Sequence, residues 1–402
     1  MTTRSSFARH SFAILLTCCF LICTNLHAQT SPAVMAYVTQ LAETTYSAHV
    51  LALQAFGTRH ALQPNRDGVT SWLDTKFRSF GFTDVAYDSF TSGTSQQRNV
   101  IATLAGSQSS AGEIVICAHY DSYTSPATAA PGADDNASGT AAVLEMARIL
   151  KVNGYVPKRT IRFIAFGAEE LGLVGSAHYA TSAYAAKRAI DQVQNYDMIA
   201  YCPAGAARQI NVIWYDNARD LAERDSSVIR RYTTLTPVLS TSYRSQSDSY
   251  PFASRGYKAF FNIEATLTPD YHTAHDSTTR LNMGFASEVA RSGLALLLET
   301  DGALTSFDQV TTTLPSAVRL EQNYPNPFNG QTVIRYALAE TAPVRVVVID
   351  LLGREIAVLQ DGEQAVGMHE VQWDAASVAS GVYLCRLTSG GTSASRKLVL
   401  MR

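Results

Sequence analysis

Cysteine is scarce in this chain: six residues in 402, with Cys18, Cys19 and Cys23 all in the first 28. The remaining Cys117, Cys202 and Cys385 are an odd number, which excludes a disulfide framework as the scaffold of the fold. Cys117 stands two residues before His119, but its neighbours Ile114 to Ile116 read as a buried strand, and an inert core thiol is expected there. An excess of one charge is also missing. Lys+Arg 32 against Asp+Glu 34 leaves a formal net charge of -2, so no basic field calls for nucleic acid and no charged block reads as an interaction tail. Nor does any apolar run reach the roughly 20 residues of a bilayer span, and no transmembrane span is expected in the mature chain. The greasiest stretch, Phe12 to Cys23, follows Arg4, Arg9 and His10 and gives way to Leu26-His27-Ala28. That is the pattern of a secretory signal peptide over 1–28, with the mature chain starting at Gln29.

What is there suggests two or three domains. Val69, Trp72, Leu73, Phe77 and Phe80 recur at helical spacing from Asp67 to Phe80, and Gly81 stops the pattern. Strand-like apolar runs at 99–104, 113–118, 160–166, 193–200 and 209–215 alternate with helical stretches at 138–150 and 217–231, and a last helical run reaches from Asn282 to about Leu304. This alternation over 29–304 predicts an α/β fold, a mostly parallel mixed sheet covered by helices on both faces. Ligands of such sheets collect beyond the carboxyl ends of the strands. A connector follows at 305–316. From 317 to 402 the character changes, with alternating runs at 333–338, 344–350, 369–373 and 381–387 between Gly, Pro and Asp turns, predicting a small all-β sandwich in which Trp373 is core.

The chemistry-bearing residues gather in the first region. Ala118 to Gly139, "AHYDSYTSPATAAPGADDNASG", crowds His119, Asp121, Asp134 and Asp135 among Gly and Pro. Glu169 and Glu170 follow the 160–166 strand and Asp197 comes late in the 193–200 run, so all fall along one sheet edge. That much carboxylate beside histidine calls for a cation, and zinc takes His nitrogen and carboxylate oxygen. A zinc pair about 3.5–4 Å apart needs a bridging carboxylate, with further ligands for each ion. Taken singly, His119 would be a hydrogen-bonded structural histidine and Glu169-Glu170 a solvated surface pair. "GADDNASG" lacks the alternating ligands of a calcium-binding EF-hand loop.

In order along the chain, "AHYDS", "PGADDNASG", "FGAEELGLVGS", "NYDMIAY" and "YHTAHDS" resemble the M28 family of zinc aminopeptidases, from about Thr44 to Ala303. The resemblance implies two Zn2+ per chain, with His119 and Asp197 on one, Glu170 and His272 on the other, and Asp135 bridging. It further implies that Asp121 accepts the other N–H of the His119 imidazole, that Glu169 is the general base, and that Tyr271 donates a hydrogen bond to the tetrahedral oxyanion. Asp248 in "SDSYPF" resembles an acid that supports the metal ligands, although a Ser-Asp-Ser turn explains it equally well. His178, His275 and Asp134 gain nothing from the pattern and are expected at the surface or behind the ligands.

The C-terminal segments "EQNYPNPFN", "VIDLLGREIAVL", "HEVQWDA", "GVYLCRL" and "RKLVLMR" resemble the type A sorting domain of the type IX secretion system over nearly all of Leu314 to Arg402. That likeness implies type IX secretion machinery as a partner, passage across the outer membrane, and a secreted or surface-attached product. Together the two resemblances imply an exported dinuclear zinc aminopeptidase acting on peptide substrates. A glutaminyl cyclase is the alternative: those enzymes resemble this fold, share "HYDS" and a paired-Glu motif, and use one zinc to form N-terminal pyroglutamate. A non-catalytic surface binding protein is the third reading.

Overall fold

The computed structural model describes residues 30–108, 110–304, 318–323, 326–364 and 367–401. The expected signal peptide and the 305–316 connector lie outside the described residues. The first region opens with three helices, α1 Pro32–Val38, α2 Glu43–Gln54 and α3 Arg66–Ser79. In α3 the residues Val69, Leu73 and Phe77, one turn apart, are all buried, as their spacing predicts. Strands β1 Val85–Ser92 and β2 Ser95–Leu104 form a hairpin and lead to β3 Glu113–His119, α4 Gly139–Val152, β4 Thr160–Phe166, α5 Val174–Ala185 and β5 Ile190–Tyr196. Then come β6 Gln209–Trp214, α6 Arg219–Tyr232, β7 Thr236–Ser240, α7 Ser249–Ala253, β8 Ala259–Glu264 and α8 Met283–Asp301.

These strands make one eight-stranded sheet in the order β1-β2-β4-β3-β5-β8-β6-β7. Its centre, β4-β3-β5-β8, is parallel, while β1, β2 and the β6–β8 pairing add antiparallel edges. A large core of α2, α4 and α8 side chains covers one face, and a smaller one around Phe166, Tyr179 and Phe252 covers the other. The parallel centre explains why Ile114 to Ala118 and Ile161 to Phe166 are near-continuous apolar runs.

The fourth strand-like run is expected to reach Ala200, but β5 ends at Tyr196. Beyond Asp197 the backbone N–H groups of Met198, Ile199 and Ala200 donate to Asn136 Oδ1 (3.3 Å), Ser138 Oγ (3.1 Å) and Asp134 Oδ1 (2.9 Å) instead of to a neighbouring strand. Side-chain acceptors from the turn before α4 thus replace the ladder and peel the chain out of the sheet. Gly139 makes this approach possible, since a Cβ there would sit 2.1 Å from the Tyr196 carbonyl oxygen.

The C-terminal region is all β: β9 Arg319–Leu320, β10 Gln331–Leu338, β11 Ala342–Ile349, β12 Glu355–Gln364, β13 Gly367–Asp374, β14 Gly381–Ser389 and β15 Thr392–Leu400. They form a β13-β10-β9 sheet and a β12-β11-β14-β15 sheet with their own core. Trp373 is buried between Phe328 and Tyr383, with ring centroids 5.4 and 5.7 Å away. Among the described residues no helix is long and apolar enough to cross a membrane.

Candidate metal centre

Each residue nominated as a ligand comes from the carboxyl end of a central strand or the loop after it. His119 ends β3, Asp135 lies in the turn into α4, Glu169 and Glu170 follow β4, and Asp197 follows β5. Tyr271 and His272 lie on the loop after β8. That is where a parallel sheet leaves a crevice, because its loops diverge there.

Five of these side chains form two overlapping groups. His119 Nε2 is 3.3 Å from both Asp135 Oδ1 and Asp197 Oδ1. His272 Nε2 is 3.2 Å from Asp135 Oδ2 and 3.0 Å from Glu170 Oε2. Asp135 therefore turns one oxygen to each group, and each group brings three ligand atoms within 4.8 Å of one another. The donor set of imidazole nitrogen and carboxylate oxygen suits zinc. Glu170 Oε1 is buried without a hydrogen-bond partner, an orphan that a cation would satisfy. Glu169 belongs to neither set that contains Asp135, but on the wall of the crevice, with its Oε2 4.0 Å from His119 Nε2, it forms a third such group with His119 and Glu170.

The charges show what this crowding costs. Burial pushes the Glu169 carboxyl well above the usual carboxylate range, with Asp248, Asp197 and Glu170 adding to the rise and His119 opposing it. Burial and Asp135 likewise push Glu170 up to about 8. For His119 burial works against the charged form, but Glu169 and Asp197 overcome it and hold the imidazole well above its ordinary value. His272 is held at about 9 against burial by Asp135 and Glu170. Burial would raise Asp135, yet bonds from both histidines keep it below the ordinary range. The acids compete for protons in the way expected of carboxylates packed to share a cation.

One expected supporting role comes out differently. The second nitrogen of His119, Nδ1, meets the backbone carbonyl of Asp121 at 3.1 Å, while the Asp121 carboxylate is 3.7 Å away. That carboxylate instead accepts the backbone N–H groups of Glu169 (3.1 Å) and Glu170 (3.2 Å), shaping the turn that presents the glutamate pair. Asp248 heads α7 but its side chain makes no capping bond, which removes the turn explanation. It is fully buried, raised to about 7 by burial first, and subject to the charges of His119, Asp197 and Asp121. Asp134 is not at the surface: it is wholly buried behind Asp135, with Oδ1 bound to the Ala200 N–H. His275 is exposed, and His178 pairs with Asp88 at 3.1 Å away from the cluster. Cys117 is buried in the core, as expected.

Sequence reasoning missed several partners. Ser247 Oγ donates to Asp197 Oδ2 at 2.6 Å and itself accepts from Asn195 Nδ2 at 2.6 Å, leaving Asp197 Oδ1 to face His119. Asp276, within the motif "YHTAHDS", and the distant Arg59 were also passed over. Nothing local marks Arg59, whereas the position of Asp276 four residues after His272 was a usable signal. One side of the crevice is apolar, lined by Met198, Phe261, Ile263 and Leu267. Tyr271 stands at its mouth, 44% exposed, with its ring stacked on His272 at 3.7 Å between centroids.

Comparison with known proteins agrees with this architecture. Residues 99–297 match the model of peptidase family M28, and residues 322–401 match that of a secretion system C-terminal sorting domain. Leucine aminopeptidase 1 of Fusarium vanettenii is 31% identical over 271 residues, covering 63% of this chain and 68% of its own length. Aminopeptidase YwaD of Bacillus subtilis is 35% identical over 212 residues, 48% of this chain and 42% of its own length, so the chain spans less than half of that relative. Among solved structures, LapB from Legionella pneumophila superposes with a TM-score of 0.61 at 25% identity, covering 67% of this chain and 75% of its own. A glutaminyl cyclase from Bacteroides thetaiotaomicron shares the fold at 17% identity and a TM-score of 0.55, covering 64% of this chain and 97% of its own.

Proposed function

Because the chain belongs to peptidase family M28 and is an aminopeptidase of that family, we propose that it hydrolyses the first peptide bond of its substrates at a pair of zinc ions. The observation that carries the count of two is the division of the Asp135 carboxylate, one oxygen toward His119 and the other toward His272. His119 and Asp197 would hold one ion and Glu170 and His272 the other. Zinc so held polarises a peptide carbonyl and acidifies water.

The protein's own groups supply the rest. Glu169 takes the proton of the attacking water and returns it to the leaving amine. Tyr271, kept protonated by burial and the nearby carboxylates, donates its phenolic hydrogen to the developing oxyanion. The free amine of the substrate meets the carboxylates of Glu169 and Asp197, and the wall of Met198, Phe261, Ile263 and Leu267 receives an apolar first side chain. Asp121 orders the Glu169-Glu170 turn, and Asp248 supports the cluster electrostatically.

The C-terminal sandwich supports export: a signal peptide takes the chain to the periplasm, and the type IX machinery reads the sandwich, carries the chain across the outer membrane and leaves the enzyme secreted or on the cell surface. Deleting 318–402 in a host with that machinery should then hold the enzyme in the periplasm.

The test of the chemistry is metal content by elemental analysis, alongside assays on peptides beginning with leucine and with glutamine. Two zinc ions per chain with release of free leucine is the expected result. One zinc with pyroglutamate formation would make the protein a cyclase, and no metal with no turnover would make it a binding protein.

A further inference from the structure

Asp276 is 3% exposed. Its carboxylate is spent on backbone: Oδ1 accepts the Asp134 N–H at 2.8 Å and Oδ2 the Asp135 N–H at 3.0 Å. Its own carbonyl accepts the Ala133 N–H at 3.2 Å. Three consecutive residues of the turn that carries the bridging aspartate are therefore tied to one residue, which lies four positions after His272 on a different loop.

Beneath this tie sits Arg59, with no exposed surface. Its guanidinium donates to the carbonyls of Tyr120 (2.7 Å), Leu53 (3.1 Å), Pro131 (2.6 Å) and Gly132 (2.7 Å). A buried guanidinium bound to carbonyls alone keeps a full positive charge for its surroundings. Among the acids around it, Asp276 acts on it most strongly. Gly132 is required for this arrangement: its φ is +52°, and a Cβ there would stand 2.9 Å from the guanidinium and 2.4 Å from the Asp135 carbonyl oxygen.

We propose that Asp276, braced by the buried charge of Arg59, is a positioning residue that sets Asp135 against His272 and thereby the affinity of the zinc ion held by Glu170 and His272. The proposal rests on the dinuclear reading above. Its logic is asymmetric. The turn carrying Asp135 follows the same strand as His119 and can keep its place toward that residue, whereas His272 stands on another loop, which meets this turn through Asp276.

The experiment compares zinc affinities of the full wild-type chain and Asp276→Asn by competition with a chromophoric chelator, and records the metal-free melting temperature of each. An amide keeps one acceptor but sets a donor against the other N–H, so one of the two ties is lost. The expected result is a metal-free melting temperature close to wild type, one zinc as tight as before, and the other weaker by about tenfold or more. Unchanged affinity for both ions overturns the proposal, as does equal weakening of both, which would make Asp276 a general structural brace. If Asp276→Asn does not fold, Asp276→Glu, which keeps the charge and both acceptors but displaces them, decides by the same two affinities. A wild-type chain that binds a single zinc refutes the dinuclear reading without the variant. The positioning role is then supported if Asp276→Asn weakens that one ion while the metal-free melting temperature stays at the wild-type value, and overturned otherwise.

Discussion

The N-terminal region buries Asp121, Asp134, Asp135, Glu169, Asp197, Asp248, Glu264 and Asp276, most of them along one sheet edge, whereas the described residues of the C-terminal sandwich bury no Asp, Glu, Lys, Arg or His. The sandwich keeps its ion pairs, such as Arg345–Glu355 and Arg335–Glu370, in solvent. Taking a carboxylate out of water costs several kcal/mol unless a partner compensates. A fold that needed only stability would do what the sandwich does and fill its interior with Val344, Val346, Trp373 and Leu387. The contrast separates a region that gathers acids in its interior from one whose interior is apolar.

The sharpest way to break that contrast is Glu169→Gln, expected to lower kcat by about a thousandfold or more while zinc content stays at the wild-type level. The matched change in the sandwich, Glu370→Gln, should leave hydrolysis untouched, and activity surviving Glu169→Gln would remove that residue as the base. Next in size are the two cores. Phe163→Ala and Trp373→Ala should each cost about 3–5 kcal/mol of stability. Calorimetry with an activity assay tells them apart, because only Phe163→Ala should lower the temperature at which hydrolysis is lost. If Trp373→Ala takes activity with it, the cores are not independent.

A smaller effect concerns Asp225, fully buried on α6 and raised to about 7 by burial, with the neighbouring Asn262 amide pulling the other way. The folded chain keeps this proton where the unfolded chain has released it. The resulting stabilisation is complete below about pH 4 and is lost as pH rises through about 7. Melting curves of Asp225→Asn should accordingly show a gain over wild type of a few kcal/mol at pH 8 that shrinks toward pH 4. A gain independent of pH would mean the side chain acts through packing. The smallest expected effect is that of removing 318–402, which should leave kcat/KM within about twofold, since the buried core of the first region contains no residue of the sandwich.

How much of this could be read in the residues depended on range. The helix around Val69, Leu73 and Phe77 and the strand runs at 113–118 and 160–166 were legible because their patterns are local and their burial is continuous. The end of β5 was not, because Met198 to Ala200 are apolar enough for a strand and leave the sheet only through acceptors supplied by Asn136, Ser138 and Asp134. At the centre, His119, Asp135, Glu169, Glu170, Asp197 and His272 could be nominated because their motifs stand in a recognisable order. The detailed job of Asp121 could not, since the choice between its carbonyl and its carboxylate as partner of His119 is a matter of a few tenths of an ångström.

By itself, then, the sequence determined the class of each region, the strand ends from which chemistry would come, and the residue types able to hold a cation, because apolar periodicity and donor type are properties of short segments. Only the tertiary structure decided that Asp135 faces two ways, that Ser247 reserves one oxygen of Asp197, and that Arg59 and Asp276 converge under the same turn. Those relations join residues up to about 200 positions apart through contacts a few ångströms long. Directional hydrogen bonds in a low-dielectric interior are strong enough to fix such contacts, but only once packing has brought the partners within reach.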